Sequence, residues 1–166
     1  MHPSALLPAE LLKQCDVNRT RRSGPGGQNR NKVETAIVLT HRPTGIIAEA
    51  SERRSQPQNQ SVALFRLRLK LAVNVRTPID PTTAPSAVWV SRRRGTKFHV
   101  NDEHEDFPTI LAEALDHLAA RDMDLKSTAD HLGVSATQLV NLLKQHHPAL
   151  QSLNAARAER SLPPLR

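Results

Sequence analysis

Six residues, Ser23-Gly24-Pro25-Gly26-Gly27-Gln28, limit what this chain can fold into more than any other stretch. Three glycines and a proline fill positions 24 to 27, so neither a helix nor a strand can run through them. Glycine takes positive φ without steric cost and lets a backbone approach a ligand closely, whereas Pro25 fixes its own φ and restricts Gly24. A spacer has no use for that proline. The segment therefore reads as a shaped, functional loop set among Arg19, Arg21, Arg22, Arg30 and Lys32. No Lys-Ser or Lys-Thr follows it and its spacing is not G-x-G-x-x-G, which argues against the phosphate-cradling loops of nucleotide-binding folds.

Charge is divided unevenly around this loop. Residues 1–80 hold 13 Lys/Arg against 6 Asp/Glu, net +7, whereas residues 81–166 hold 10 against 10 and are net neutral. A basic half of that kind suits a phosphate backbone, which it would also attract over distance. Cys15 is the single cysteine, so no intramolecular disulfide can form and a reducing, cytoplasmic setting is expected. The first eight residues lack a cationic start and their apolar run is broken by Pro8, so neither a secretory leader nor a membrane span is expected. The histidines at 99, 104, 117, 131, 146 and 147 read as scattered surface groups, and no metal or cofactor is expected.

Around the loop, periodicity predicts a short helix over residues 8–14, a strand over 15–20, a helical turn over 29–34 and a strand over 35–41. Arg42-Pro43-Thr44-Gly45 is turn chemistry and residues 46–50 return as an antiparallel partner, with His41 read as a surface residue beside the turn. Ser55-x-x-Gln58 has the form of a capping box, so a helix starts there. Residues 64–75 are ambiguous. Apolar and charged residues largely alternate, which is the strand period, yet Leu64, Leu67, Leu71 and Val75 also fall at helical spacing. The cap favours helix.

Three further motifs accompany the loop: Asn31 three positions after the glutamine, Thr40-His41-Arg42-Pro43-Thr44-Gly45, and Arg54-Ser55-Gln56-Pro57-Gln58-Asn59. Together with Ser23 to Gln28 they resemble the catalytic domain of class I peptide chain release factors, over roughly residues 10–75. The resemblance implies an α+β fold, a small mixed or antiparallel sheet with one packed helix and an exposed Gly-Gly-Gln loop. It also implies hydrolysis of the peptidyl-tRNA ester in the peptidyl-transferase centre of the large ribosomal subunit, with Gly26, Gly27 and Gln28 as catalytic residues and no cofactor. The partners it implies are the ribosome with its rRNA, peptidyl-tRNA, and a methyltransferase acting on Gln28. Arg19, Arg21, Arg22, Arg30, Lys32, Arg53 and Arg54 are the candidate RNA contacts. With the catalytic stretch beginning near residue 15, a codon-reading domain is not expected, which is similar to codon-independent factors that free stalled ribosomes. Those factors typically end in a long basic tail, and the last residues here are only mildly basic.

Residues 1–77 are accordingly read as the catalytic domain, 78–106 as a linker and connector, and 107–166 as a helical module. The stretch 77–85 has three prolines, and the Arg92-Arg93-Arg94 run precedes an acidic Asp102 to Asp106. That run either neutralises the acidic segment or touches RNA. Residues 107–120 are amphipathic, 125–132 and 135–146 flank Gly133 as a helix-turn-helix-like pair, and 149–160 reads as a last helix. Ala129, Leu132, Val134, Leu139 and Leu142 are the expected core of the pair. Its net-neutral half makes DNA an unexpected partner. A non-catalytic ribosome- or RNA-binding protein and a helix-turn-helix regulator are the alternative readings.

Overall fold

The computed structural model describes residues 1–20 and 35–166, which divide into two compact units, Pro3–Leu71 and Met1–His2 with Ala72–Arg166. The fold is α+β, with small antiparallel sheets and a helical C-terminal region.

In the first unit, α1 (Pro8–Lys13) leads into β1 (Cys15–Thr20), which pairs with β2 (Ala36–His41), which pairs with β3 (Ile47–Ala50). The order is β1-β2-β3, antiparallel throughout. Register puts Ile37 opposite Ala50 and Leu39 opposite Ala48, so one face of the β2–β3 hairpin carries a continuous apolar strip. All four residues are buried. Gly45, at φ +69, supplies the left-handed turn position between the two strands.

α2 (Gln56–Asn74) settles the ambiguity at residues 64–75 in favour of helix up to Asn74. Ser55 caps it as expected, its Oγ accepting from the Gln58 amide at 3.3 Å. Asn59, Ala63, Leu67 and Leu71 follow one another at four-residue intervals and are completely buried, with Leu64 beside them. Alternation fails because the charged residues between them are long. Arg66 reaches the Glu49 carbonyl at 2.8 Å and Lys70 the Ile47 carbonyl at 2.7 Å, so their stems lie along the sheet while their heads meet β3.

His41 corrects the reading of a surface residue, since only 2% of it is exposed. Its Nε2–H donates to Gln14 Oε1 at 3.1 Å, so Nδ1 of the neutral ring accepts from the Thr44 hydroxyl at 2.8 Å. Burial, reinforced by the Arg42 charge, holds its pKa below the usual histidine value. The ring thereby fastens the hairpin turn to the end of α1, which lies 27 residues earlier.

The second unit is built from α3 (Ala87–Arg92), the two-stranded hairpin β4 (Arg93–Arg94) and β5 (Lys97–Phe98), and helices α4 (Phe107–Ala119), α5 (Leu125–Leu132), α6 (Ala136–Lys144) and α7 (His147–Ala158). The sequence reads residues 87–98 only as connector, yet they fold into α3 and the hairpin. Trp89 is completely buried, donates from Nε1 to the Leu132 carbonyl at 3.0 Å, and has its ring centroid 4.5 Å from that of Phe98. The proline-rich stretch is fastened too. Thr77 N donates to Asp116 Oδ1 at 3.1 Å, Arg121 donates to the Pro81 carbonyl, and His131 donates to the Thr83 carbonyl at 2.7 Å.

The α5–α6 pair forms as its sequence predicts. Asp124 caps α5, Gly133 at φ 68 and ψ 32 ends it, and Ser135 caps α6 through the Gln138 amide. Ala129, Leu132, Val134, Leu139 and Leu142 are all buried. His117 is a second correction to the surface-histidine reading, at 2% exposure on the inner face of α4. Among the described residues no helix is long and apolar enough to cross a membrane.

Candidate functional site

Gly26, Gly27, Gln28, Arg21, Arg22, Arg30 and Lys32, with the helical turn expected over 29–34, lie outside the described residues. The frame that bears their segment is described, and it begins with a pairing. Thr20, the last residue of β1, is the register partner of Ala36, the first of β2. The segment between them therefore starts and finishes on adjacent antiparallel strands, at one end of the sheet.

Three of the candidate RNA contacts gather at that end. Arg19 lies opposite Ile37, which in turn lies opposite Ala50 on β3, so the chain passes Arg53 and Arg54 shortly after leaving the same end of the sheet. All three arginines are exposed. From Asp16 to Thr20 β1 is exposed on both faces, and Val17 and Arg19, on the side that β2 and β3 bury, stay open to solvent. Guanidinium groups are weakly hydrated for cations, so on such an end they can meet phosphates at a modest desolvation cost.

One residue holds this end together, and its role is not visible in the sequence. The Asn59 side chain is completely buried near the start of α2. Its Nδ2 donates to the Thr35 carbonyl at 2.6 Å and to the Arg53 carbonyl at 3.0 Å, and its Oδ1 accepts from the Arg53 amide at 2.9 Å. Thr35 is the first described residue after the glycine-rich segment. Asn59 thus clamps the returning stem of that segment to the backbone of a candidate RNA contact. The motif Arg54 to Asn59 contains the residue, but the partners lie 24 and 6 positions away and nothing local announces them.

Glu52 adds a second brace. Its carboxylate receives Arg66 Nη2 at 2.6 Å and Nη1 at 3.3 Å, both groups being part exposed. Cys15, buried and donating its thiol to the Leu11 carbonyl at 3.2 Å, packs at the far end of β1 from the segment; burial raises its pKa and makes it a poor nucleophile. Among the described residues no group of His, Cys, Asp and Glu could hold a metal ion.

Together these elements define a small α+β domain whose glycine-rich segment is joined to β1 and β2 at the arginine-bearing end of a three-stranded sheet. The chain belongs to the RF-1 domain family, which matches residues 12–104 and so extends beyond the residues that carried the sequence resemblance. Named relatives are peptide chain release factors. That of the Arabidopsis thaliana chloroplast is 47% identical over 74 residues, covering 41% of this chain and 16% of its own. Peptide chain release factor 1 of Chlorobaculum tepidum is 51% identical over 55 residues, covering 33% and 15%. That of Chloroherpeton thalassium is 55% identical over 63 residues, covering 37% and 18%. The matched stretch is thus less than a fifth of each of these relatives.

Proposed function

We propose that this chain hydrolyses the ester joining a nascent peptide to tRNA on the ribosome, with Gly26, Gly27 and Gln28 as its catalytic triplet. The observation that supports this most is the join between sequence and frame. In a member of the RF-1 family, the triplet falls in the segment bounded by the register partners Thr20 and Ala36, with Arg19, Arg53 and Arg54 exposed at the same end.

The chemistry follows from the side chains. A glutamine amide carries donors and an acceptor but ionises nowhere near neutrality, so Gln28 orients a water and does not act as its base. Its backbone N–H can stabilise the oxyanion that forms when water adds to the ester carbonyl. Gly26 and Gly27 give that N–H the freedom to point where a residue with a Cβ could not. The arginines hold the domain on RNA while rRNA and the tRNA ribose complete the site. Release without reading a codon, on stalled ribosomes, is the finer part of the proposal, as is methylation of Gln28.

Peptidyl-tRNA release from purified ribosomes, with and without a stop codon in the decoding site, tests it. Equal release in both arms is expected. Gln28→Ala keeps the backbone N–H but loses the amide that orients the water, and is expected to lower release at saturating protein by about 10²-fold or more, with ribosome association retained. Release that is unchanged in Gln28→Ala removes the catalytic reading.

A further inference from the structure

We propose that the β4–β5 hairpin is a docking point for an RNA phosphate backbone, separate from the glycine-rich segment and going beyond the ester reaction. The Arg92-Arg93-Arg94 run supplies it, and the three arginines have different surroundings. Arg92 donates from Nε and Nη2 to Asp106 Oδ2, at 3.0 and 2.6 Å. Arg93 points inward, donating from Nη1 to the Leu132 carbonyl at 3.3 Å, and its register partner Phe98 packs on Trp89. Both are structural.

Arg94 is different. Its register partner is Lys97, both side chains are exposed, and neither has an ion-pair or hydrogen-bond partner among the described residues. Like charges directly opposite on antiparallel strands repel, at a cost of up to about 1 kcal/mol. Strands of two residues cannot bear that alone, and the hairpin is held from outside. Ser135 N donates to the Thr96 carbonyl at 3.2 Å and Phe98 N donates to Gln138 Oε1 at 3.2 Å, while His99 N closes the hairpin's own base on the Arg92 carbonyl at 3.0 Å. Two cations are thus kept side by side at the tip of a braced hairpin, an arrangement that a bound anion relieves.

The neighbouring surface favours phosphate in a nucleic acid over a carboxylate in a protein. The hairpin is hydrogen-bonded to the start of α6, whose exposed Thr137, Asn141 and Lys144 fall at i, i+4 and i+7 on one face. No acidic residue occurs in α6 or the hairpin. A phosphate backbone accepts from hydroxyl, amide and ammonium donors alike, and its regular charges suit a pair of cations flanked by neutral donors. The occupant is therefore a nucleic-acid backbone bound by charge and not by sequence, and RNA is the one that the ribosomal setting of the proposed function supplies.

The full-length protein and its Arg94→Gln/Lys97→Gln variant would be titrated with a fluorescently labelled, structured RNA hairpin over a salt series, with polyglutamate as competitor. Loss of two phosphate contacts is expected to make the log–log salt slope shallower by about 1.8 and to weaken binding roughly tenfold at moderate salt. Thermal unfolding should not be lowered, because both side chains are exposed and the variant removes their mutual repulsion. The same slope and affinity in parent and variant overturn the proposal, and so does polyglutamate that displaces the RNA as well as unlabelled RNA does. The readout is binding, so a protein that releases peptide normally while the variant keeps its full RNA affinity refutes the hairpin and leaves the catalytic reading standing.

Discussion

Asn59 uses three hydrogen-bonding positions on two backbone segments, so its removal leaves Thr35 and Arg53 groups unpaired where the side chain was completely buried. Asn59→Ala is expected to cost about 1–3 kcal/mol, read as a shift in the denaturant midpoint. Release at saturation should also fall, with ribosome affinity nearly kept, whereas Leu67→Ala, destabilised through lost packing on the same helix, should keep its saturating rate while folded. Equal rates for the two variants would show that Asn59 merely holds the fold. A second residue-scale effect lies in α4, where two neighbours titrate against each other. Burial, with the charges of Arg121 and His131 beside it, lowers the His117 pKa to about 4, while burial raises that of Asp116 to about 6 despite bonds from Thr77 N and Arg76. Between its folded value of about 4 and its ordinary 6.5, His117 binds a proton only when unfolded, so its contribution to stability rises with pH. Between 3.8 and about 6 Asp116 holds the extra proton in the folded state, so its contribution falls as pH rises. The two oppose each other over nearly one window. Urea unfolding of the parent and His117→Gln should therefore show a stability difference that grows in the parent's favour as pH is raised from about 4 to 6.5, by up to about 3 kcal/mol. A constant difference would mean that the ring is not held neutral.

At the scale of elements, local chemistry was legible wherever one segment decided its own fate. The Ser55 cap, the Arg42 to Gly45 turn and the Gly133 helix end are short-range signals, and each stands where its residues put it. Long-range burial was not legible. Val88-Trp89-Val90 looks like part of a connector because it is short and next to an arginine run, yet Trp89 is a core residue whose indole partner, Leu132, is 43 positions away. His41 and His117 read as surface groups because histidine tolerates water, and only the partners at Gln14, Thr44 and Arg121 reveal otherwise. In α2 a cap of three bonds' reach and a buried stripe outweighed strand-like alternation, because Arg66 and Lys70 can lie along a sheet edge as well as point away from it. Gly133 gives a test of the helix-turn-helix-like pair. Its φ of 68 disfavours a side chain, and a Cβ there would fall on the Arg93 guanidinium. Gly133→Ala should cost about 1–2 kcal/mol in thermal or denaturant unfolding, with the guanidinium forced off the Leu132 carbonyl. An unchanged midpoint would mean that the turn relaxes freely.

For the whole molecule, the loop motif and the charge division were legible together, since residues 1–80 carry the entire net +7 and also the glycine-rich segment. How Thr35 and Arg53 are held at that end of the sheet was not, because Asn59 acts through folded geometry. The sheet, its covering helix and both stems of the segment belong to the unit Pro3–Leu71, and the α3 to α7 elements to the other. The first unit has a core of its own, formed by Leu11, Ile37, Leu39, Ala48, Ala50, Ala63, Leu67 and Leu71. The second buries Trp89, Phe107, Ile110, Leu111, Leu118 and Leu132. If the ester chemistry needs only the frame around the segment, a protein ended after Pro78 retains every element of that frame. It also loses the hairpin cations Arg94 and Lys97. Truncation after Pro78 is therefore expected to weaken the half-saturating concentration for peptide release several-fold while leaving the rate at saturation within about twofold, measured at low temperature because so short a domain is marginally stable. A truncated protein that is folded by circular dichroism and binds ribosomes fully, yet releases nothing, would make the helical unit part of the active assembly and not an aid to docking.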